Sequence, residues 1–148
     1  AVLNNDFAWA WQVMMQKDGY TCICLDEMHL FLRNPYMRKL LQSSVYRARK
    51  YNGMIGCCTQ RVLQCLNSEY DEEVSAILDM SPTKFLFHPG PVDHDVIKDK
   101  LKLTDGESNY ISNSHKGHCL VMAGHERYAV HIGKMPHEDA LFGSGGGR

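Results

Sequence analysis

The sequence predicts an α/β fold, with a mostly parallel sheet flanked by helices and an antiparallel hairpin at its edge. Three short apolar runs have the length of strands, and apolar residues recur at helical spacing in the segments between them. Two later runs flank Gly124-His125 and predict the hairpin. With 148 residues, 44% of them hydrophobic, the chain can bury the core of one domain.

The first half of the chain alternates helix and strand. Helices are predicted over residues 6–17 and 34–51, and strands over residues 20–25 and 54–58. Asn34-Pro35 supplies a capping side chain followed by proline at the first helical position. The first strand is a nearly continuous apolar run, which is typical of a strand covered on both faces.

The second half predicts four helices, a third strand and the hairpin. The helices are expected over residues 62–66, 69–79, 93–100 and 104–114, the third strand over 84–87, and the hairpin strands over 118–123 and 127–132. Thr104 with Glu107 three residues later has the pattern of a capping box. Residues 143–148 are rich in glycine and are expected to form a flexible tail, either natural or left from cloning.

Charge and hydropathy restrict the classes of protein to consider. The formal net charge of −1 excludes a strongly basic nucleic-acid-coating protein, so any DNA contact depends on a local cluster of cations. No apolar run approaches the roughly 18 residues of a membrane span, and no signal-peptide pattern is present. We therefore expect a cytoplasmic chain.

Six cysteines occur without a C-x-x-C pair. Cys22 and Cys24 lie in the first strand and Cys57 and Cys58 in the second, where adjacent side chains point to opposite faces, a poor arrangement for zinc. We expect buried, reduced thiols that pack as small hydrophobes, which indicates a reducing compartment. A metal-binding or redox protein built on these cysteines stays open as an alternative, and the scattered histidines are expected at the surface or in the core.

Two adjacent acids follow the first strand. In a nucleoside triphosphatase this arrangement is useful, because one carboxylate, here Asp26, holds Mg²⁺ through water. The second, Glu27, then orients or deprotonates the attacking water. Two carboxylates at a strand end also occur by chance.

Thr59-Gln60 follows the second strand. The carboxyl ends of parallel strands line one crevice, so Asp26, Glu27 and Gln60 are expected to converge there. An amide both donates to phosphate oxygens and accepts from water, so Gln60 can sense a γ-phosphate. Its alternative role is that of an ordinary residue at the start of a helix.

Three cations crowd the last turn of the second helix. Arg47, Arg49 and Lys50 can form a solvated helix end, contact a DNA backbone, or reach the triphosphate of a neighbouring subunit. Arginine suits the last role because its planar fork stabilises charge on the transferring phosphoryl group, and Arg49 is the favoured candidate.

These blocks together resemble a family. Cys24 to Leu32 with Asn34-Pro35, then Arg49 to Gly53, then Thr59-Gln60, are similar in order and spacing to the ATPase domain of the conjugative transfer and type IV secretion ATPases of VirB type. Those proteins are relatives of the coupling proteins and of hexameric DNA pumps. The resemblance covers residues 6–142.

The resemblance implies a RecA-like P-loop domain that hydrolyses ATP with Mg²⁺. It implies a ring, usually a hexamer, at the cytoplasmic base of a secretion channel, moving DNA or protein. The implied catalytic residues are Asp26, Glu27, Gln60 and Arg49. The implied nucleotide-binding residues are Asp26, Gln60, Lys50 and Arg47, with Asp26 as the Mg²⁺ residue through water.

Two departures from the family stand out. His29 replaces the aromatic residue expected after the acids and makes a DExH box, typical of a helicase group that also needs a Ser-Ala-Thr segment, for which Cys57 to Gln60 is a poor match. The loop G-x-x-x-x-G-K-[ST] is also missing, since Gly133-Lys134 is followed by Met135 and Tyr128 stands where the first glycine belongs.

The missing loop sets the expectation for the whole chain. Residues 1–142 are expected to be the C-terminal part of an ATPase domain without its Walker A loop, inactive alone. A non-catalytic interaction module of a secretion machine and a DExH-type helicase fragment are the alternatives.

Overall fold

The structure, a computed structural model, describes residues 2–65 and 71–138. The glycine-rich tail and parts of two predicted helices lie outside these ranges. The described elements, in chain order, are α1 (Val2–Gln16), β1 (Thr21–Leu25), α2 (His29–Leu32), α3 (Pro35–Arg47), a 3-10 helix (Ala48–Tyr51), β2 (Gly53–Cys57), α4 (Val62–Cys65), α5 (Asp71–Met80), β3 (Thr83–Leu86), α6 (His94–Leu101), α7 (Asp105–Ser112), β4 (His118–Ala123) and β5 (Glu126–His131).

The strands form two sheets, and the predicted α/β class is confirmed. β1 and β2 pair in parallel, from Thr21 opposite Gly53 to Leu25 opposite Cys57. β3, β4 and β5 form an antiparallel sheet that contains the predicted hairpin. The third strand thus joins the hairpin rather than the parallel pair. Its residues alternate between exposed and half-buried, as suits an antiparallel strand with one solvated face.

Capping residues begin two helices where the sequence predicts them. The Asn34 side chain accepts hydrogen bonds from the amides of Tyr36 and Met37, with Pro35 at the first helical position. The Thr104 and Glu107 side chains form a complete capping box at the start of α7. The short helix α2 was not predicted, because four residues are too few for helical periodicity to show.

A large hydrophobic cluster packs against one face of the parallel pair. Phe7 of α1 packs edge-on against Phe31 of α2, with 5.7 Å between ring centroids. The cluster draws buried side chains from α1, β1, α2, α3, α4 and α5, among them Trp11, Met14, Ile23, Leu25, Leu32, Met37, Leu41, Cys65, Val74 and Ile77. Leu25 and Cys57, the last residues of β1 and β2, both pack in this cluster, which therefore holds the carboxyl ends of the two strands in place.

A second, smaller cluster covers the antiparallel sheet. Its buried members are Ile97 of α6, Leu103, Ile111 of α7 and Leu120 of β4. Val62 of α4 packs against this cluster, whereas Cys65 of the same helix belongs to the first. No helix among the described residues is both long enough and apolar enough to cross a lipid bilayer.

The cysteines depart from expectation. Cys65 and Cys119 are buried and Cys57 is half-buried, but Cys22, Cys24 and Cys58 are exposed, and all six are free thiols. Ile23 and Leu25 face the large cluster, so Cys22 and Cys24 point to the other face of β1. The prediction that the first strand is covered on both faces is therefore wrong for the described part of the chain.

Candidate functional site

The two acids lie in a bulge at the carboxyl end of the parallel pair. The amide of Cys58 donates to the carbonyl oxygen of Leu25, and the amide of Met28 donates to the carbonyl oxygen of Cys58, both at 2.8 Å. The backbone of Cys58 is thus hydrogen-bonded to Leu25 and to Met28, the two residues that flank the acids. Asp26 and Glu27 project between these two hydrogen bonds. We call these two residues the acidic loop.

The acidic loop has an unusual backbone. Glu27 has φ +52°, in the left-handed region that non-glycine residues rarely occupy. An Asp26 carboxylate oxygen accepts a 2.9 Å hydrogen bond from the Glu27 amide and holds this conformation. Strained backbone of this kind is concentrated at functional sites, where the surrounding structure maintains it.

His29 connects the acidic loop with the end of β2. Only 6% of His29 is exposed. Its Nδ1 atom lies 3.1 Å from Glu27 Oε2 and 3.5 Å from Thr59 Oγ1. The contact with Glu27 is close but not aligned as a hydrogen bond, so the buried Oε2 atom remains without a hydrogen-bond partner among the described residues. The rest of the Glu27 side chain is about one-third exposed, so the carboxylate lies at the boundary between the interior and the open edge of the parallel pair.

The Thr59 hydroxyl organises the second loop. It accepts hydrogen bonds from the Arg61 amide at 3.1 Å and from the Cys65 thiol at 3.6 Å, and so fixes the start of α4. Burial raises the pKa of the Cys65 thiol, although the bond to Thr59 acts in the opposite direction, so the thiol stays protonated and can donate. Gln60 follows with its side chain exposed beside this start.

The structure therefore brings four predicted residues to one edge of the parallel pair: Asp26, Glu27, Thr59 and Gln60. It adds His29, which the sequence analysis connected only with a departure from the family and with a DExH box. The signal that marks it is the DExH pattern, which places a histidine two residues after Glu27.

The three cations lie at the opposite end of the strands. Arg49 lines an open cavity of about 530 Å³ at the amino ends of β1 and β2. Each strand has five residues, about 16 Å in length, so Arg49 and the acidic loop do not share a site within one chain. The structure does not bring Arg47 or Lys50 to the acids either, because both flank Arg49 in the 3-10 helix region.

The neighbouring cations differ in their contacts. Arg47 donates to the Tyr51 hydroxyl at 2.8 Å and stacks over the Tyr51 ring. Arg49 and Lys50 have no side-chain partner within the described ranges. Arg47 is held to its own helix, whereas Arg49 and Lys50 are available to a ligand or another chain.

The acidic loop suits magnesium better than a metal held entirely by protein. Mg²⁺ usually keeps several waters and takes one or two carboxylates together with substrate phosphates. Asp26 is exposed, and one carboxylate oxygen stays free when the other accepts from the Glu27 amide. Within residues 2–65 and 71–138 no group of three or more His, Cys, Asp and Glu side chains is arranged to hold a metal ion.

Comparison with known proteins supports the resemblance inferred from the sequence. The chain matches the structure of VirB4 of Thermoanaerobacter pseudethanolicus with a TM-score of 0.85 and 26% sequence identity. The match covers 92% of this chain and 37% of the VirB4 chain. No family model and no curated protein matches. The resemblance to the VirB-type type IV secretion ATPases is thereby confirmed, and the two sheets are part of that P-loop ATPase fold.

Proposed function

We propose that this chain is the C-terminal part of the ATPase domain of a VirB4-type secretion ATPase. The complete protein hydrolyses ATP to power transfer of DNA or protein through a type IV secretion channel. It works as a ring of six subunits on the cytoplasmic side, at the inner face of the membrane, where it meets the channel components. The observation that carries the proposal is the convergence of the acidic loop with Thr59-Gln60 at one edge of a VirB4-like fold.

The acidic loop supplies two carboxylates with separate tasks. Asp26, exposed and with one oxygen free, holds Mg²⁺ through water. Glu27, whose side chain is 34% exposed, orients the attacking water and accepts its proton as the water oxygen bonds to the γ-phosphorus, the bond from that phosphorus to the bridging oxygen breaks and ADP leaves. ATP is the substrate and supplies the phosphoanhydride bond, and Mg²⁺, which Asp26 would hold, would neutralise the charge that develops on the phosphates.

Gln60 and His29 link nucleotide state to the protein. The Gln60 amide can donate to a γ-phosphate oxygen, and its position two residues before α4 passes the presence of that phosphate to the helix. His29, between Glu27 and Thr59, keeps the acidic loop and the glutamine in register.

Arg49 acts on a neighbouring subunit. It lies a full strand length from its own acidic loop and has no side-chain partner within the described ranges, which suits a finger that reaches the triphosphate of the next subunit. Lys50 and Arg47 flank it and strengthen the positive field toward that nucleotide.

The test is ATP hydrolysis by the complete natural protein that contains these residues together with a phosphate-binding loop. Glu27→Gln is expected to lower kcat by at least about 100-fold, because it removes the general base. The matched control Glu72→Gln changes an exposed acid on α5 and leaves kcat unchanged. An unchanged rate of ATP hydrolysis in Glu27→Gln would contradict the proposed role of Glu27 as general base.

The same assay tests whether Arg49 acts on the nucleotide of a neighbouring subunit or only forms part of a solvated helix end. Arg49→Ala alone is expected to cost about 1,000-fold, as for other arginine fingers. Rings mixed from Glu27→Gln and Arg49→Ala subunits should regain part of the activity, because some interfaces then contain both intact residues. No recovery would place Arg49 outside the neighbouring site.

Two other functions are outcomes of this experiment. If the complete natural protein hydrolyses no ATP, the chain belongs to a non-catalytic interaction module. A DExH-type helicase is favoured by one observation, the contact of His29 with Thr59. It predicts ATP-dependent strand separation of duplex nucleic acid.

A further inference from the structure

A second cavity lies between α5, the end of α6 and the antiparallel sheet. It has a volume of about 300 Å³, and its walls come from five elements of the chain itself, α5, β3, α6, β4 and β5. None of its lining residues belongs to the parallel pair. We call it the basic cavity, and its charged lining residues are Asp79, Lys84, Lys100, Lys102 and Arg127.

We propose that the basic cavity binds a small phosphorylated ligand through its phosphate group. Four cations and one acid line it, so its lining carries an excess of positive charge. Its volume is at the lower end of the range for small-molecule sites, which suits a phosphate with a small substituent. The proposal does not depend on the ATPase function, because the acidic loop is not part of this lining.

Two of the cations project from one face of the antiparallel sheet. Met122 of β4 is the register partner of Lys84 on β3 and of Arg127 on β5, so the three side chains form one row. Neighbouring strands are about 4.8 Å apart, which separates the two cationic residues by about 10 Å along the backbone of the sheet. Met122 packs against the smaller hydrophobic cluster and gives the cavity an apolar floor. An anion above Met122 is therefore within reach of a long cationic side chain on either side.

The Lys84 ammonium is charged in an environment that opposes its charge. It donates to the carbonyl oxygen of Ser81 at 2.6 Å, which leaves two further N–H donors. Burial lowers the Lys84 pKa, and the negative charge of Asp79 acts in the opposite direction. A bound anion adds a second negative neighbour and so favours the charged form.

Lys102 occupies a backbone position that favours glycine. It ends α6 with φ +51°, in the left-handed region. Its ammonium makes no hydrogen bond or ion pair within the described ranges and is available to a ligand. The carboxyl end of a helix attracts cations by itself, which is sufficient to explain Lys100. Lys84 and Arg127 lie on strands, where this effect does not apply.

Arg127 joins the basic cavity to the capping box of α7. Its Nη1 atom donates to Glu107 Oε2 at 2.7 Å and to the Lys102 carbonyl oxygen at 3.4 Å. These bonds leave the Nε and Nη2 donors for another acceptor. Three cations from separate elements suit a phosphate better than a carboxylate, because a phosphate group presents three acceptor oxygens and up to two negative charges.

The experiment is a calorimetric titration of the 148-residue chain with pyrophosphate as the probe. Mg²⁺ is left out, so that the two carboxylates of the acidic loop repel the anion. One pyrophosphate per chain is expected. Lys84→Met and Lys102→Met should each weaken binding by about 10-fold or more, the loss expected for a charge-assisted hydrogen bond. Lys102→Arg keeps the charge and should retain the affinity, whereas Asp79→Asn should increase it, because it removes a negative charge from the lining.

Lys39→Met is the matched control, because it removes an exposed lysine of α3 outside the cavity. It should bind pyrophosphate as the unmodified chain does. Equal losses in Lys39→Met and Lys84→Met would overturn the site. Citrate that binds as tightly as pyrophosphate would overturn the assignment to phosphate, since citrate presents carboxylates alone.

The titration is repeated on the complete natural protein, with its nucleotide site saturated by a non-hydrolysable ATP analogue. The same losses are expected in Lys84→Met and Lys102→Met. Binding that is present in the 148-residue chain and absent from the complete protein would overturn the proposal, because the remainder of that protein would then cover the cavity.

A soluble ligand and a phospholipid headgroup offer the same phosphate chemistry. Sedimentation with phosphatidylcholine vesicles that contain phosphatidic acid separates these two sources. The protein is expected to stay in the supernatant, since the proposed ligand is a small soluble molecule. Sedimentation with the vesicles that is lost in Lys84→Met would overturn the soluble ligand and assign the cavity to a headgroup.

Discussion

His29 shows how one buried side chain can connect two loops. Its imidazole is buried, and its Nδ1 atom faces a carboxylate oxygen on one side and a hydroxyl on the other. Buried polar groups without partners are costly, so the three groups depend on one another.

His29→Leu tests this dependence, because leucine fills a similar volume and removes both polar contacts. The free energy of unfolding should fall by about 1 kcal/mol, because Thr59 Oγ1 loses its hydrogen bond with His29 Nδ1 and Glu27 Oε2 loses its polar neighbour at 3.1 Å. Urea denaturation followed by circular dichroism measures the change. His125→Leu in the exposed hairpin turn is the control, with a change within about 0.5 kcal/mol. Equal effects of the two variants would contradict the linking role.

The Glu107 carboxylate is expected to make the free energy of unfolding depend on pH. The Thr104 amide donates to the Glu107 carboxylate and lowers its pKa below the usual value, the Thr104 hydroxyl and Arg127 act in the same direction, and burial opposes them. The folded state thus favours the ionised form. Its contribution to stability is present above the ordinary carboxylate pKa and is lost as the pH falls through the lower pKa of the folded state.

Glu107→Gln keeps an oxygen that can accept from the Thr104 amide but removes the charge and the ion pair with Arg127, so it should lower the free energy of unfolding by about 0.5–1 kcal/mol at neutral pH. The difference from the unmodified chain should shrink in acid. Denaturation series at several pH values provide the measurement, with Asp99→Asn, an exposed acid on α6, as the control. A difference that stays constant down to acid pH would argue against the ionised carboxylate as its source.

At the scale of elements, β2 contains two glycines in different surroundings. A Cβ at Gly53 would overlap the Met14 side chain of α1, which packs over this position, whereas a Cβ at Gly56 would meet only Cys24 Sγ at 3.9 Å. Gly53 is thus required by a close approach of helix and strand, and Gly56 is not.

The matched pair Gly53→Ala and Gly56→Ala tests this difference. Gly53→Ala should cost about 1–3 kcal/mol by overpacking, since Met14 is fully buried and has little room to move. Gly56→Ala should change stability by less than about 0.5 kcal/mol. Thermal or urea unfolding of the two variants gives the comparison. A larger loss in Gly56→Ala would contradict the described packing of α1 on β2.

Most elements could be predicted from local sequence, because their signals are local. Asn34-Pro35 and the Thr104–Glu107 box act within one turn of their own helices, and the apolar runs mark the strands. The faces of β1 could not be predicted this way. Cys22 and Cys24 are as apolar as Ile23 and Leu25, and only the packing of α1 and α2 decides which face is covered.

The sequence predicted only part of the candidate site, because the rest depends on tertiary packing and not on local signals. Asp26 and Gln60 follow from the rule that parallel strands share a carboxyl edge. The role of His29 and the distance of Arg49 from the acids depend on tertiary arrangement. A residue close to a site in sequence order can lie at the far end of a strand, as Arg49 does.

At the scale of the whole molecule, the described residues form two hydrophobic clusters rather than one. The acidic loop, His29 and Gln60 lie around the first cluster, and the hairpin lies on the second. The net charge of the whole sequence is only −1, so the positive region around Arg49 is a local feature and not a property of the whole surface.

The helix α4 has a mechanical consequence. Among the described elements only α4 has side chains in both clusters, Val62 in one and Cys65 in the other, and it begins two residues after Gln60. Because Val62 and Cys65 are packed in different clusters, a movement of α4 displaces side chains in both of them. If Gln60 contacts a γ-phosphate as proposed, a displacement of Gln60 would reach both packed clusters at once through α4.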